Sequence, residues 1–195
     1  MTRPLPAPAL SFPAEVLLKA QGRSLSMRCA IFDVDGVLTD GRLYIGEHGE
    51  TVKAFNTLDG HGLKLLQRAG IVPLIITGRD SAAVRRRVAD LGLMHAVYGA
   101  QDKLAAAEAQ LKALGVDWAD TAAIGDDWPD LPLLHRAGFA CASANAHAEV
   151  RAVADHVTAR RGGHGAAREF CDLLLIASGR YAALLRSESR TLDGR

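Results

Sequence analysis

The stretch "CAIFDVDGVLTDG", residues 29–41, decides the fold. A continuous apolar run, Cys29 to Phe32, leads directly into Asp33-Val34-Asp35-Gly36. Short apolar runs closed by turn residues read as strands buried on both faces, as in parallel sheets. Two carboxylates at the end of such a strand are expensive to keep in a core. They belong instead at the carboxyl edge of a sheet, where open α/β folds bind their ligands. Gly36 permits a tight turn that brings Asp35 over the group Asp33 faces.

Working outward, the same alternation recurs. Strands are predicted over 29–34, 72–77, 95–99, 121–125, 139–143 and 156–159, and helices over 59–69, 80–91, 102–114, 130–137 and 146–154. A final helix is expected over 165–178. Gly70, Gly92, Gly115 and Gly138 each follow the last periodic apolar residue, where a left-handed cap belongs. Repeated strand–helix units predict an α/β, Rossmann-like parallel sheet with helices on both faces. "RLYIGEHGETVKAFN", 42–56, breaks the rhythm with alternating residues around "EHGE" and reads as an inserted β-hairpin. The expected organisation is a lead with a short helix (1–27), one catalytic domain (28–180) and a flexible polar tail (181–195).

The composition narrows the class. With 49% hydrophobic and 23% charged residues and a net charge of +1, the chain has neither a field for nucleic acid nor one for an anionic membrane. "VRRR" (84–87) lacks interleaved aromatics and reads as a solvated face. No apolar stretch is long enough to span a bilayer, and the Pro-rich start lacks the apolar core of a signal peptide. Cys29, Cys141 and Cys171 are scattered, which points to buried thiols in a reducing, cytoplasmic setting.

The strand ends bring chemistry together: Asp33 and Asp35, then Thr77-Gly78-Arg79, then Asp126-Asp127, with Lys103 opening the helix after "HAVYG". Carboxylates that close cannot all stay anionic without a counter-charge. A divalent cation such as Mg²⁺ takes hard carboxylate ligands, and Thr77 and Lys103 are donors suited to a phosphate. Carboxylates, Mg²⁺ and phosphate donors together mean phosphoryl transfer. A carboxylate can serve as nucleophile, and its neighbour can protonate the leaving alkoxide and then deprotonate water.

At these residues the sequence resembles the haloacid dehalogenase superfamily: "DVDGVLTDG", "TGR", Lys103 and "GDDWPD" match its marks. "FNTLDGHGLKLL" (55–66), "RGGHGAAREFCDLLL" (161–175) and the hairpin resemble, more narrowly, the 3-deoxy-D-manno-octulosonate 8-phosphate phosphatases. That resemblance implies Asp33 as nucleophile and metal ligand. It implies Asp35 as acid/base with its main-chain carbonyl on the metal, and Asp126 as the third protein ligand. Asp127 and Asp130 would orient the metal's waters and the loops, and Thr77 and Lys103 would hold the phosphoryl oxygens. Asn56, Asp59, Gly60, Lys64, Arg79 and Arg87 match positions that meet the phosphosugar, although a solvated helix face explains Lys64 and Arg87 nearly as well. The resemblance also implies a homotetramer built through the hairpins, a free sugar acid as product, and a place in lipopolysaccharide synthesis.

The spacing leaves no room for a cap domain, since residues 36–76 hold only the hairpin and one helix and residues 104–125 one helix and one strand. An open site is most simply closed by a neighbouring subunit. "RGGHG" (161–165) reads equally as a segment reaching an adjacent site or as a loop into the last helix. His61 reads as a solvated residue at a helix start, and Trp118 and Trp128 as packing residues. Two other functions fit the pattern less closely: a phosphatase for a nonulosonate 9-phosphate, and a non-catalytic assembly domain. Dehalogenase chemistry is disfavoured by Asp35, and no P-loop is present.

Overall fold

The run Cys29–Phe32 forms a central strand of a six-stranded sheet in the computed structural model, which describes residues 9–190. In chain order the elements are α1 (Ala14–Lys19), β1 (Cys29–Phe32), the hairpin β2 (Tyr44–Gly46) and β3 (Gly49–Val52), and α2 (Thr57–Arg68). Then come β4 (Val72–Ile76), α3 (Ala82–Asp90), β5 (His95–Val97), α4 (Lys103–Leu114) and β6 (Thr121–Gly125). The chain closes with α5 (Leu131–Arg136), β7 (Phe139–Ala142), α6 (Ala148–Val153), β8 (His156–Val157), α7 (Ala166–Ala177) and α8 (Tyr181–Arg190).

The sheet order is β5-β4-β1-β6-β7-β8, with every pairing parallel. From β1 the chain builds outward on one side, then returns to build outward on the other, which puts the topological switch at β1. The two-residue period of the strands sorts their side chains into two cores. Ala30, Phe32, Ile75, Ile124 and Phe139 face α1, α2, α3 and α7. Cys29, Ile31, Leu74, Ile76 and Ala123 face α4, α5 and α6. Phe170 of α7 meets Phe32 edge-on at 5.3 Å and stacks on Phe139 at 6.4 Å. The three cysteines are buried and free. Among the described residues no helix is long and apolar enough to cross a membrane.

Three expectations need correction. Residues 9–27 are not separate from the domain: Ala20 and Met27 are buried, α1 packs on α7, and Phe12 meets His156 edge-on at 5.7 Å. The first eight residues of that lead lie outside the described residues. Residues 181–190 are a helix rather than a flexible tail, because Tyr181 and Leu184 sit three apart and pack on the core. Arg180 also donates to the Ala69 carbonyl, and Arg68 pairs with Glu188. The remainder of that tail, 191–195, lies outside the described residues.

The third concerns a glycine. Gly70, Gly92 and Gly115 take positive φ after their helices, but Gly138 does not. Its role is close approach: a Cβ there would lie 2.4 Å from the Ala119 carbonyl oxygen. Gly138→Ala is therefore expected to destabilise the fold by about 1–3 kcal/mol, read as a lowered midpoint in chemical denaturation. A midpoint equal to wild type would contradict this packing.

Candidate active site

Register builds the site. Phe32 is paired with Ile75 on one side and Ile124 on the other, so the ends of β1, β4 and β6 come out on the same edge of the sheet. Asp33 still donates its N–H to the Ile124 carbonyl at 3.2 Å, which fixes its backbone although the strand has ended. Thr77 leaves β4 and Asp126 leaves β6 one step further on. Asp102 caps α4 by accepting from the Ala105 N–H at 3.0 Å, which makes Lys103 the first residue of the helix.

Lys103 then reaches across the strand ends. Its Nζ lies 2.7 Å from both Asp33 Oδ1 and Asp130 Oδ1, and all three side chains are buried. The other oxygen of Asp130 accepts the N–H of Asp126 at 3.0 Å and that of Asp127 at 3.4 Å, closing the loop that carries Asp126. Carboxylate oxygens of Asp33, Asp126 and Asp130 lie within 4.8 Å of one another.

The protonation of these groups follows. Burial pushes Asp33 above the usual carboxylate range and Asp130 adds to it, with partial relief from Lys103. Burial raises Asp126 as well, followed by repulsion from Asp33, Asp130 and Asp127. For Lys103, burial opposes the charge, but Asp33 and Asp130 outweigh it and hold the ammonium protonated. One ammonium cannot balance three carboxylates. Hard oxygens converging on one point fit a divalent cation of the magnesium class.

The turn after Asp33 is tight. Gly36 has φ +93°, and a Cβ there would fall 1.9 Å from Asp126 Oδ2. Its carbonyl accepts from Ser143 Oγ at 3.2 Å and Asn145 Nδ2 at 3.5 Å. Gly162 packs on the same carbonyl: its N–H donates to Asn145 Oδ1 at 2.6 Å, and a Cβ would meet the Gly36 oxygen at 1.8 Å. The segment 161–165 thus packs on the turn at Gly36 of its own chain. Ser143, Asn145 and the Gly162 contact were not singled out from sequence, because nothing local ties residues so distant to the first strand.

The remaining candidates fall into two groups. Thr77 is buried beside β1, with its hydroxyl accepting from the Arg79 N–H at 3.3 Å. The side chain of Asp35 pairs with Lys53 and is not among the three carboxylates that converge. Arg79 lies 3.5 Å from Glu50. At the start of α2, Asn56 caps the helix by accepting from Leu58 N–H at 2.8 Å, and its carbonyl accepts from Arg87 Nη2 at 3.3 Å. Arg87 is half-buried over Gly60 rather than on a solvated face. Asp59 is buried and accepts the Arg168 N–H at 2.7 Å, so its carboxylate anchors the start of α7. Lys64 and His61 are exposed on α2, and Asp127 and Trp128 on the loop after β6. Lys53 and Glu50 were missed, because an alternating hairpin gives no sign that one lysine turns inward.

A parallel sheet whose carboxyl edge gathers these groups defines a haloacid dehalogenase-like hydrolase, and residues 97–170 match the model of that family. The 3-deoxy-D-manno-octulosonate 8-phosphate phosphatase KdsC of Escherichia coli (strain K12) is 42% identical over 167 residues, 86% of this chain and 87% of that protein. The Moraxella catarrhalis 3-deoxy-D-manno-octulosonate 8-phosphate phosphatase, solved with magnesium ion, phosphate ion and KDO, superposes with a TM-score of 0.83 at 40% identity, covering 89% of this chain and 97% of that one. The cobalt-bound Haemophilus influenzae phosphatase gives a TM-score of 0.79 at 41% identity, over 84% and 93% of the two chains. The chain belongs to the 3-deoxy-D-manno-octulosonate 8-phosphate phosphatase family and is a phosphoric monoester hydrolase.

The raised carboxyls have a signed consequence. A carboxyl raised on folding favours the folded state at low pH and loses that contribution as pH climbs from about 3.9, its unfolded value, through the native one. Without a divalent cation the melting temperature should therefore fall as pH rises through the elevated range of Asp33 and Asp126. Added cation should stabilise most at the alkaline end. Thermal melts with chelator and with cation across pH 5–9 test this, and Asp126→Asn should flatten the chelated curve. A cation effect independent of pH would contradict the assignment.

Proposed function

We propose that the chain hydrolyses 3-deoxy-D-manno-octulosonate 8-phosphate to the free sugar acid and phosphate, using Mg²⁺ and an aspartyl-phosphate on Asp33. The observation that carries this reading is the cluster of Asp33, Asp126 and Asp130 locked by Lys103 at the sheet edge. The relatives' names and the ligands of the Moraxella catarrhalis structure supply the substrate.

Asp33, Asp126 and the Asp35 carbonyl would hold the metal, with Asp130 and Asp127 ordering the loop around it. Magnesium, when bound, supplies positive charge against the phosphoryl oxygens and the clustered carboxylates. Thr77 and Lys103 hold the remaining phosphoryl oxygens. Asp33 attacks phosphorus as the ester P–O bond breaks, and Asp35 gives its proton to the leaving alkoxide. Asp35 then takes a proton from water as that water cleaves the acyl phosphate, which frees Asp33 and releases phosphate. Asn56, Gly60, Lys64, Arg79 and Arg87 face the sugar acid, while Asp59 supports them from behind.

The product fits lipopolysaccharide synthesis in the cytoplasm. The hairpin exposes Leu43, Tyr44, Ile45 and Val52, a surface suited to covering in a homotetramer. Light scattering should then return four times the chain mass of 20.7 kDa.

Asp33→Asn should reduce phosphate release by at least about a thousandfold with the fold intact, and retained turnover would remove the nucleophile assignment. EDTA should silence the enzyme and Mg²⁺ restore it. On a panel of phosphosugars, preference for the octulosonate supports the substrate, preference for a nonulosonate 9-phosphate replaces it, and no turnover on any leaves an assembly role.

A further inference from the structure

The hairpin reaches the catalytic turn through one side chain. Lys53 follows β3 directly, and its side chain is 1% exposed. Its ammonium pairs with Asp35 Oδ1 and lies 3.1 Å from Glu50 Oε2. Glu50 is held in turn: Ser81 Oγ donates to its Oε1, and Arg79 Nη2 lies 3.5 Å from its Oε2. Three separate segments, the turn after β1, the hairpin and the β4–α3 loop, therefore meet at this lysine and its partner.

Taking an ammonium out of water is costly unless its partners are well placed. Lysines on hairpins ordinarily reach solvent. This one turns inward, and its two carboxylate partners explain how the burial is tolerated. Its position also bears on the chemistry. Lys53 engages only Oδ1 of Asp35, which leaves Oδ2 as the oxygen that carries the exchanged proton. The backbone beyond Asp35 is already fixed by the bonds to the Gly36 carbonyl. Lys53 fixes the side chain on the other side of the same turn.

We propose that Lys53 is a positioning residue that aims the Asp35 carboxyl at the leaving group, with Glu50 orienting Lys53. The inference rests on the reading of Asp35 as the acid/base. It gives the hairpin a role in the reaction beyond assembly.

The test uses leaving groups. An alkoxide needs the proton of Asp35 to depart, whereas p-nitrophenolate leaves without it. The ratio kcat/KM covers only the steps through phosphoryl transfer to Asp33, so it isolates the acid role from the later base role. The values are compared for wild type, Lys53→Met, Lys53→Arg and Glu50→Gln at saturating Mg²⁺. The substrates are p-nitrophenyl phosphate and the alkyl phosphate that the wild type turns over best. Lys53→Met is expected to lose about 100-fold on the alkyl phosphate and less than about threefold on the aryl one. Glu50→Gln should show the same selectivity at about tenfold, and Lys53→Arg should recover part of the loss. Equal losses on both substrates, or no loss on either, would overturn the proposal. If Lys53→Met fails to fold, Glu50→Gln decides by the same comparison. A wrong substrate shows in the wild type alone, whereas a wrong positioning role shows only in the ratio between variants.

Discussion

A buried ammonium holds the working edge of this sheet together. Lys103 touches Asp33 at the end of β1 and Asp130 in the loop after β6, from the first turn of α4. Like unit charges at the separation of these carboxylates repel by about 3–4 kcal/mol at an effective dielectric near 20. Without Lys103 the strand ends would lose the single fixed charge that offsets this repulsion. The residual negative charge is what suits this edge to a divalent cation.

The turn at Gly36 is the second constraint, and it works by contact rather than charge. Its carbonyl is bonded by Ser143 and Asn145 and covered by Gly162, so three segments converge on one peptide group. Asn56 Nδ2 donates to the Gly163 carbonyl at 3.4 Å, which ties the segment containing Gly162 to the start of α2, and Asp59 holds the start of α7 there through the Arg168 N–H. The start of α2, which carries Asn56 and Gly60, is thereby joined to the turn that carries Asp35. The start of α2 and the edge that gathers the carboxylates are one connected body.

Much of this was legible in the sequence, for identifiable reasons. Buried parallel strands leave continuous apolar runs, so β1, β4, β6 and β7 were read nearly at their true positions. The polar residues just beyond them, Asp33, Thr77 and Asp126, could then be placed on one edge by topology alone. Interactions between distant segments were not legible. Lys53 and Glu50 lie in a hairpin whose alternation speaks only of its own pairing. Asn145 follows a strand like many other loop residues. The helix at 181–190 reads as tail in the sequence because its polar residues mask the spacing of Tyr181 and Leu184, and Gly138 reads as a cap although the demand on it comes from the Ala119 carbonyl.

Trp128 stands on the loop between Asp126 and Asp130, 60% exposed, with its indole N–H donating to His147 Nδ1 at 3.0 Å. The backbone N–H of His147 donates in turn to the Asp126 carbonyl at 2.8 Å. The chain has only one other tryptophan, Trp118, which is partly buried against the core. The loop between Asp126 and Asp130 thus holds its own fluorophore, with a second, half-buried one as internal reference. Events at that loop can be followed in the unmodified protein by light alone, without labels or turnover.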